Sequence, residues 1–218
     1  SLEFLTAGYE KEGKKVFVNS FAVFLTGRGF DQIRQQVALP GLNVKICGSS
    51  AGITQGSDGA THQSIADIAL MRSLPNMTII VPADGPQTEA AVRYAHAYAG
   101  PVYLRLSRYE INNIFPDPYS TELLNIREIK KGEEIAIVSC GPVLRNVLEA
   151  AEELDKAGIV AGVVNVPVIK PIDTAAIVRA AKKYKTLFVV EEHSKYGGLT
   201  SAIAEVVAGI KENKKAWV

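Results

Sequence analysis

The chain has 218 residues, 47% hydrophobic and 22% charged, which excludes wholesale disorder and allows one large domain or two smaller ones with sizeable cores. Lysine and arginine number 24 against 23 acidic residues, a net charge of +1, so bulk electrostatics make no case for a nucleic-acid partner. Two distant cysteines, Cys47 and Cys140, exclude a disulfide framework and suit a reducing cytoplasm, and no apolar run reaches the ~20 residues of a membrane helix.

Leu2, Leu5, Thr6 and Tyr9 recur at helical spacing, and Gly13 ends the run. The chain thus starts within a helix, without the basic start and apolar core of a signal peptide, and it ends in the lysine-rich KENKKAWV. Both termini read as internal to a longer chain. Strands are expected at Lys15–Asn19, Asn43–Cys47, Thr78–Val81 and Val102–Leu106. Helices are expected at Phe30–Ala38, from Ile65 to Arg72, and at Gly85–Tyr98, with Pro86 near the first turn. Between them lie Ser20–Gly29, with two phenylalanines and two glycines, and a polar loop, Gly48–Gln63, with four glycines. From Tyr109 to Lys131 the rhythm breaks around Asn112, Asn113, Pro116 and Pro118, which reads as an interdomain linker.

A second α/β rhythm follows. Ile135–Ser139, Val160–Val166 and Leu187–Val190 are expected strands. One helix carries Val143, Val147, Leu148, Ala151 and Leu154 and stops at Gly158. The next is capped by Asp173 or Thr174, and a last helix runs over Leu199–Ala208 after EEHSKYGG. The fold class is α/β: two consecutive three-layer domains with mainly parallel sheets, divided as 1–112, a linker over 113–131, and 132–218.

Three stretches could carry chemistry. The loop GSDGATHQ (56–63) follows a strand and precedes a helix expected to begin near Gln63, a place where ligands collect in open α/β sheets. Asp58 supplies an acceptor there and His62 a titratable ring, although a solvated loop with Thr61 as a cap fits the same residues. Phe21 and Phe24 could pack against a flat group or simply fill core. Arg105 and Arg108, near the end of YLRLSR, suit a phosphate or carboxylate, or a surface ion pair with Glu110. His96 reads as a helix-surface residue, and His193 as an interface residue or the polar close of a strand.

Taken together, SFAVFLTGRGFDQIR, GSSAGITQGSDGATHQSIADIALMRSLPNMTIIVPAD, GPVYLRLSR and VVEEHSKYGGL resemble the C-terminal half of transketolases, above all bacterial ones made as two polypeptides. The resemblance runs in order from Ser1 to about Ala208. It implies the pyrimidine-binding domain of a thiamine-diphosphate enzyme followed by a transketolase C-terminal domain. It makes Phe21 and Phe24 the aromatics on the cofactor's aminopyrimidine ring, Asp58 and His62 contacts to the donor sugar's hydroxyls, and Arg108 the substrate-phosphate ligand. The implied reaction moves a two-carbon ketol unit from a ketose to an aldose within the pentose phosphate pathway. The cofactor supplies the electron sink and His62 a proton-transferring ring. The implied partners are an N-terminal transketolase subunit holding the diphosphate and Mg2+ or Ca2+, a second copy in an α2β2-type assembly, and sugar phosphates.

Four departures qualify that resemblance. The family's cofactor-activating glutamate belongs just upstream of this chain, and Glu3 is out of register for it. Ser50 stands where the family usually has a histidine for sugar phosphate, which leaves the phosphorylated substrate open. Ser57 replaces a usual glutamate, and Gly27 stands where some members have a third aromatic. A 1-deoxyxylulose-5-phosphate synthase-like ketol transferase with an unusual acceptor, and a non-catalytic assembly module, therefore remain as alternatives.

Overall fold

The computed structural model describes residues 8, 13–109, 112–116 and 120–210, so the helix expected at Leu2–Tyr9 lies largely outside the described residues. Short runs rich in Val and Ile build two sheets. In the first, β1 (Val16–Phe21), β2 (Val44–Ser49), β3 (Thr78–Ile80) and β4 (Val102–Arg105) lie in the order β1-β2-β4-β3, all parallel. In the second, β5 (Arg127–Lys130), β6 (Ile135–Ser139), β7 (Ala161–Asn165) and β9 (Thr186–Val190) lie in the order β5-β7-β6-β9, parallel except for β5. The expected fold class, two α/β domains with mainly parallel sheets, is the one found.

The helices are α1 (Phe30–Ile33), α2 (Asp67–Ser73), α3 (Gly85–Ala97), α4 (Leu144–Lys156), α5 (Thr174–Lys183) and α6 (Leu199–Ala208). Wider π-helical turns at Phe24–Arg28 and Arg34–Ala38 flank α1. Asp173 caps α5, its side chain accepting the Ala176 amide. Asp84 caps α3 by accepting the Gln87 amide at 2.9 Å, while its other oxygen accepts from Ile114 at 2.7 Å and Phe115 at 2.8 Å. One buried carboxylate thus starts a helix and anchors the chain crossing to the second sheet. At the other end of α3, the fully buried Lys45 donates from Nζ to the carbonyls of Tyr98 and Gly100, placing a cation where a helix C-terminus favours one.

Two features depart from the expected organisation. The stretch read as a linker, 113–131, carries a 3-10 turn (Thr121–Leu124) and β5, which pairs antiparallel with β7. Gln87 of α3 donates to the Leu123 carbonyl at 2.7 Å and holds that turn against the first domain. The other feature is β8 (Val168–Lys170), unforeseen from the sequence, which leaves the second half of the chain to pair antiparallel with β3 at the edge of the first sheet. From there Lys170 donates from Nζ to the carbonyls of Arg72 and Leu74 at the end of α2. Apolar packing is continuous across the junction: one core runs from Val18, Ile46 and Met71 through Ile169 to Val138, Tyr184 and Leu199.

Candidate active site

Parallel pairing sets the carboxyl ends of β1, β2 and β4 side by side, the place where open α/β sheets collect ligands. Phe21 ends β1, Phe24 opens the following π-turn, Ser50 follows β2, Asp58 and His62 lie on the loop after it, and Arg108 stands three residues beyond β4. All six site residues expected from the sequence therefore lie at or just past one edge of one sheet.

Three of them touch. The Phe21 and Phe24 ring centroids are 5.9 Å apart, and His62 lies 5.5 Å from Phe21 and 5.2 Å from Phe24, all edge-on. Both phenylalanines are half-buried, so neither simply fills core, and a half-buried ring cluster at strand ends suits an aromatic ligand. The Arg28 guanidinium lies 5.0 Å from the Phe24 ring centre. His62 Nδ1 is 2.9 Å from Thr61 Oγ1, and no described residue hydrogen-bonds Nε2.

Asp58 pairs with Arg108 at 3.3 Å, and its other support is the buried Gln55, whose Nε2 donates to the same carboxylate oxygen. The Asp58 and Arg108 side chains are 38% and 55% exposed, so the ion pair contributes little, at most about 1 kcal/mol, and can be exchanged for an anionic ligand. Ser50 is half-buried with φ 54°, in the left-handed region that a residue with a Cβ rarely adopts outside constrained sites. Its neighbour Ser49 is register partner to Phe21.

The loop is closed at its base by an antiparallel bridge between Gly52 and Ser64, with the Gly52 amide donating to the Ser64 carbonyl at 2.9 Å. That bridge keeps Ser64 extended, so α2 begins at Asp67 and not near Gln63 as expected. Inside it, the Gly59 amide donates to Gly56 and the His62 amide to Gly59, each at 3.0 Å, which turns the His62 ring toward the phenylalanines.

Arg105 corrects a sequence expectation. It is neither a ligand at the strand end nor a surface partner of Glu110, which lies outside the described residues. Arg105 is 3% exposed; Nε donates to Asp67 at 2.8 Å, and Nη2 to the Glu192 carbonyl at 2.9 Å and the Ser64 carbonyl at 3.2 Å. The Tyr103 hydroxyl donates to the same Asp67 oxygen at 2.7 Å. Burial works to raise the Asp67 carboxyl, but the Arg105 charge and the two donors outweigh it and hold the group below its ordinary value. Burial, reinforced by Asp67, pushes the Tyr103 phenol well up, so it stays a donor. Gly48 makes room for this network, since a Cβ there would overlap the Tyr103 ring. Sequence reasoning missed Gln55, Asp67 and Glu192. The available signal was Tyr103 and Arg105 two apart in an otherwise apolar strand, which puts two polar tips on one face.

The other histidines stand apart from this cluster. His96 is exposed on α3, with Nε2 3.5 Å from Lys15 Nζ. The His193 side chain is fully buried, with Nδ1 2.6 Å from the Ser194 carbonyl. Among the described residues no group of three His, Cys, Asp or Glu stands together to hold a metal, and no helix is long and apolar enough to cross a membrane.

Comparison with known proteins decides the family. Residues 5–113 match the transketolase pyrimidine-binding domain and residues 124–217 the transketolase C-terminal domain. The chain belongs to the transketolase family. Within that family it is 42% identical, over 97% of its length and 66% of the relative, to a "Putative transketolase C-terminal section" of Methanocaldococcus jannaschii. It is 35% identical, over 94% of its length and 66% of the relative, to one subunit of an apulose-4-phosphate transketolase of Phocaeicola vulgatus. A third relative, a 6-deoxy-6-sulfo-D-fructose transketolase subunit of a Clostridium species, is 39% identical over 92% of this chain and 62% of its own length. The chain therefore spans about two thirds of the length of the curated relatives it matches. Among solved structures, a "Split gene transketolase, inactive beta4 tetramer" superposes with a TM-score of 0.90 at 41% identity, covering 100% of this chain and 70% of that one. The pyrimidine-binding domain implies thiamine diphosphate as the cofactor, and the half-buried rings of Phe21, Phe24 and His62 fit its aromatic end.

Proposed function

We propose that this chain is the pyrimidine-side, C-terminal subunit of a two-part transketolase that moves a two-carbon ketol unit from a ketose to an aldose. The single observation that carries this reading is the packing of Phe21, at the end of β1, and Phe24, at the start of the following π-turn, against His62, which stands on the loop that also presents Asp58. Thiamine diphosphate, when bound, supplies the electron sink for carbon–carbon cleavage. Phe21 and Phe24 pack on its aminopyrimidine ring, Asp58 and His62 hold the donor's hydroxyls, and His62 accepts and returns a proton there. Arg108 turns from Asp58 to the anionic end of the sugar. Two of the three relatives are named for apulose-4-phosphate and for a 6-deoxy-6-sulfo sugar, which supports an anionic sugar terminus as their shared feature. Ser50 lines the same strand ends and takes part in choosing between such sugars.

The diphosphate and its Mg2+ or Ca2+ fall, on this reading, on an N-terminal partner; Glu3, out of register for the cofactor-activating acid, lies outside the described residues. An inactive tetramer of β chains in the solved neighbour supports both self-association and the need for that partner. A cytoplasmic setting agrees with two unpaired thiols.

The test is reconstitution. Mixing the full-length chain with its N-terminal partner, thiamine diphosphate and Mg2+ is expected to transfer a ketol unit from a ketose phosphate, and His62→Ala to lower turnover by ~10²-fold or more. Transfer from pyruvate instead would favour the 1-deoxyxylulose-5-phosphate synthase-like alternative. No turnover by a folded mixture on any of these donors would favour an assembly module.

A further inference from the structure

The loop bearing Asp58 and His62 is held from the second domain. Glu192, two residues past the end of β9, is 9% exposed and reaches across the junction so that Oε1 accepts the Thr54 amide. Its carboxylate fills the space that a side chain on residue 52 would need: a Cβ on Gly52 would overlap it, and Gly52 also has φ +89°. The Glu192 carbonyl accepts from Arg105 at 2.9 Å, and the same guanidinium nitrogen donates to Ser64 at 3.2 Å. Two residues beyond Glu192, the Ser194 amide donates to the Ile65 carbonyl at 2.9 Å. The two strands of the loop's base are thus each tied to the 192–194 segment.

From Thr54 the constraint passes inward. Thr54 is the middle residue of the 3-10 turn Ile53–Gln55, and Gln55, 2% exposed, is the buried one of the two donors to the Asp58 carboxylate, Arg108 being the other. On the return side, Gln63 Nε2 donates to the Ile53 carbonyl at 3.1 Å, so the same turn also braces the residue after His62. Burying a carboxylate with a single backbone amide on Oε1 and no hydrogen-bond partner for Oε2 among the described residues is costly, so the contact is retained against its own penalty.

We propose that Glu192 is a positioning residue: through Thr54 and Gln55 it fixes the placement of Asp58 and His62, making the second domain part of the sugar site. This rests on the reading of Asp58 and His62 as the residues that hold the donor. A preplaced loop spares the ordering cost at binding, so loosening it weakens ground state and transition state alike.

The test compares Glu192→Ala with Glu192→Gln, which keeps both the volume and an acceptor for Thr54. Hydrogen exchange on the full-length chain is expected to show residues 53–63 exchanging ~10-fold or more faster in Glu192→Ala, with residues 135–139 unchanged, and Glu192→Gln restoring protection. In the reconstituted enzyme, KM for the ketose donor rises ~10-fold in Glu192→Ala, kcat moves less, and affinity for thiamine diphosphate holds. Unaltered exchange over 53–63, or acceleration spread over both domains, overturns the proposal. So does faster loop exchange with an unchanged KM. If Glu192→Ala does not fold, Glu192→Asp withdraws the carboxylate by one methylene and takes the same two readings. A wild-type mixture without ketol transfer defeats the functional reading alone, and the exchange pattern still decides whether Glu192 fixes the loop.

Discussion

Arg105 donates from Nε to the Asp67 carboxylate at 2.8 Å, with the two side chains only 3% and 0% exposed. A pair so enclosed is costly to break from one side, because the survivor keeps a buried charge. Arg105→Met is expected to cost roughly 3–5 kcal/mol or to prevent folding, measured as the urea midpoint. The double variant Arg105→Met with Asp67→Leu should recover most of that loss. A double variant as unstable as the single one would show that shape at this site outweighs charge.

Acid should dismantle the same network from the Asp67 side. The folded carboxyl lies below its ordinary value, near ~3.9 in an unfolded chain, so the unfolded state takes up the proton first as pH falls. The contribution of Asp67 is complete above that value and disappears as pH drops through the lower, folded one. The stability gap between wild type and Asp67→Asn should therefore hold steady from neutrality to about pH 5 and shrink below about pH 4. An unaltered gap at pH 3 would contradict this assignment.

Asp84 joins a helix start to the interdomain crossing through three accepted amides, those of Gln87, Ile114 and Phe115. Asp84→Ala strands all three donors and should cost about 2 kcal/mol or more. Limited proteolysis should then find residues 112–116 cut faster than in wild type. Equal cleavage rates would mean that other contacts fix the crossing.

The two thiols should be inert in the native state. Burial pushes Cys47 up to about 11, and burial with Glu191 nearby pushes Cys140 up to about 12, so at pH 8 almost no thiolate is present on either. A chromogenic disulfide reagent is expected to titrate neither cysteine in buffer and both in denaturant. Rapid reaction of one thiol in buffer would place it at the surface.

Arg108 should discriminate by charge. In the reconstituted enzyme, Arg108→Ala is expected to raise KM for an anionic-ended ketose by ~10-fold or more and to leave an uncharged analogue nearly unaffected. Equal losses on both substrates would assign Arg108 to supporting Asp58 instead. Ser50→His, run beside it, shows whether position 50 shifts preference among phosphorylated donors.

Local pattern was enough wherever a segment settles its own structure. Ile135–Ser139 and Leu199–Ala208 fold over the residues their periodicity marks, and the glycine-rich loop follows a strand, β2, as its flanking residues suggested. What stayed hidden depends on distant partners. Arg105 looked available because Asp67, which buries it, stands 38 residues away. Strand β5 is Arg-Glu-Ile-Lys, three charges around one isoleucine, and reads as linker until β7 pairs with it. Strand β8 is three residues long before Pro171, and its partner β3 lies in the other half of the chain. The start of α2 slipped because the Gly52–Ser64 bridge, not a capping residue, ends the loop.

The donated edge strand Val168–Lys170 also bears on how this gene can be cut. A clone ending between the two α/β halves would leave β3 with an open flank, a template for pairing with other chains. The halves are therefore poor modules for swapping or separate expression, and a first half made alone should gather into aggregates unless a strand is supplied in trans.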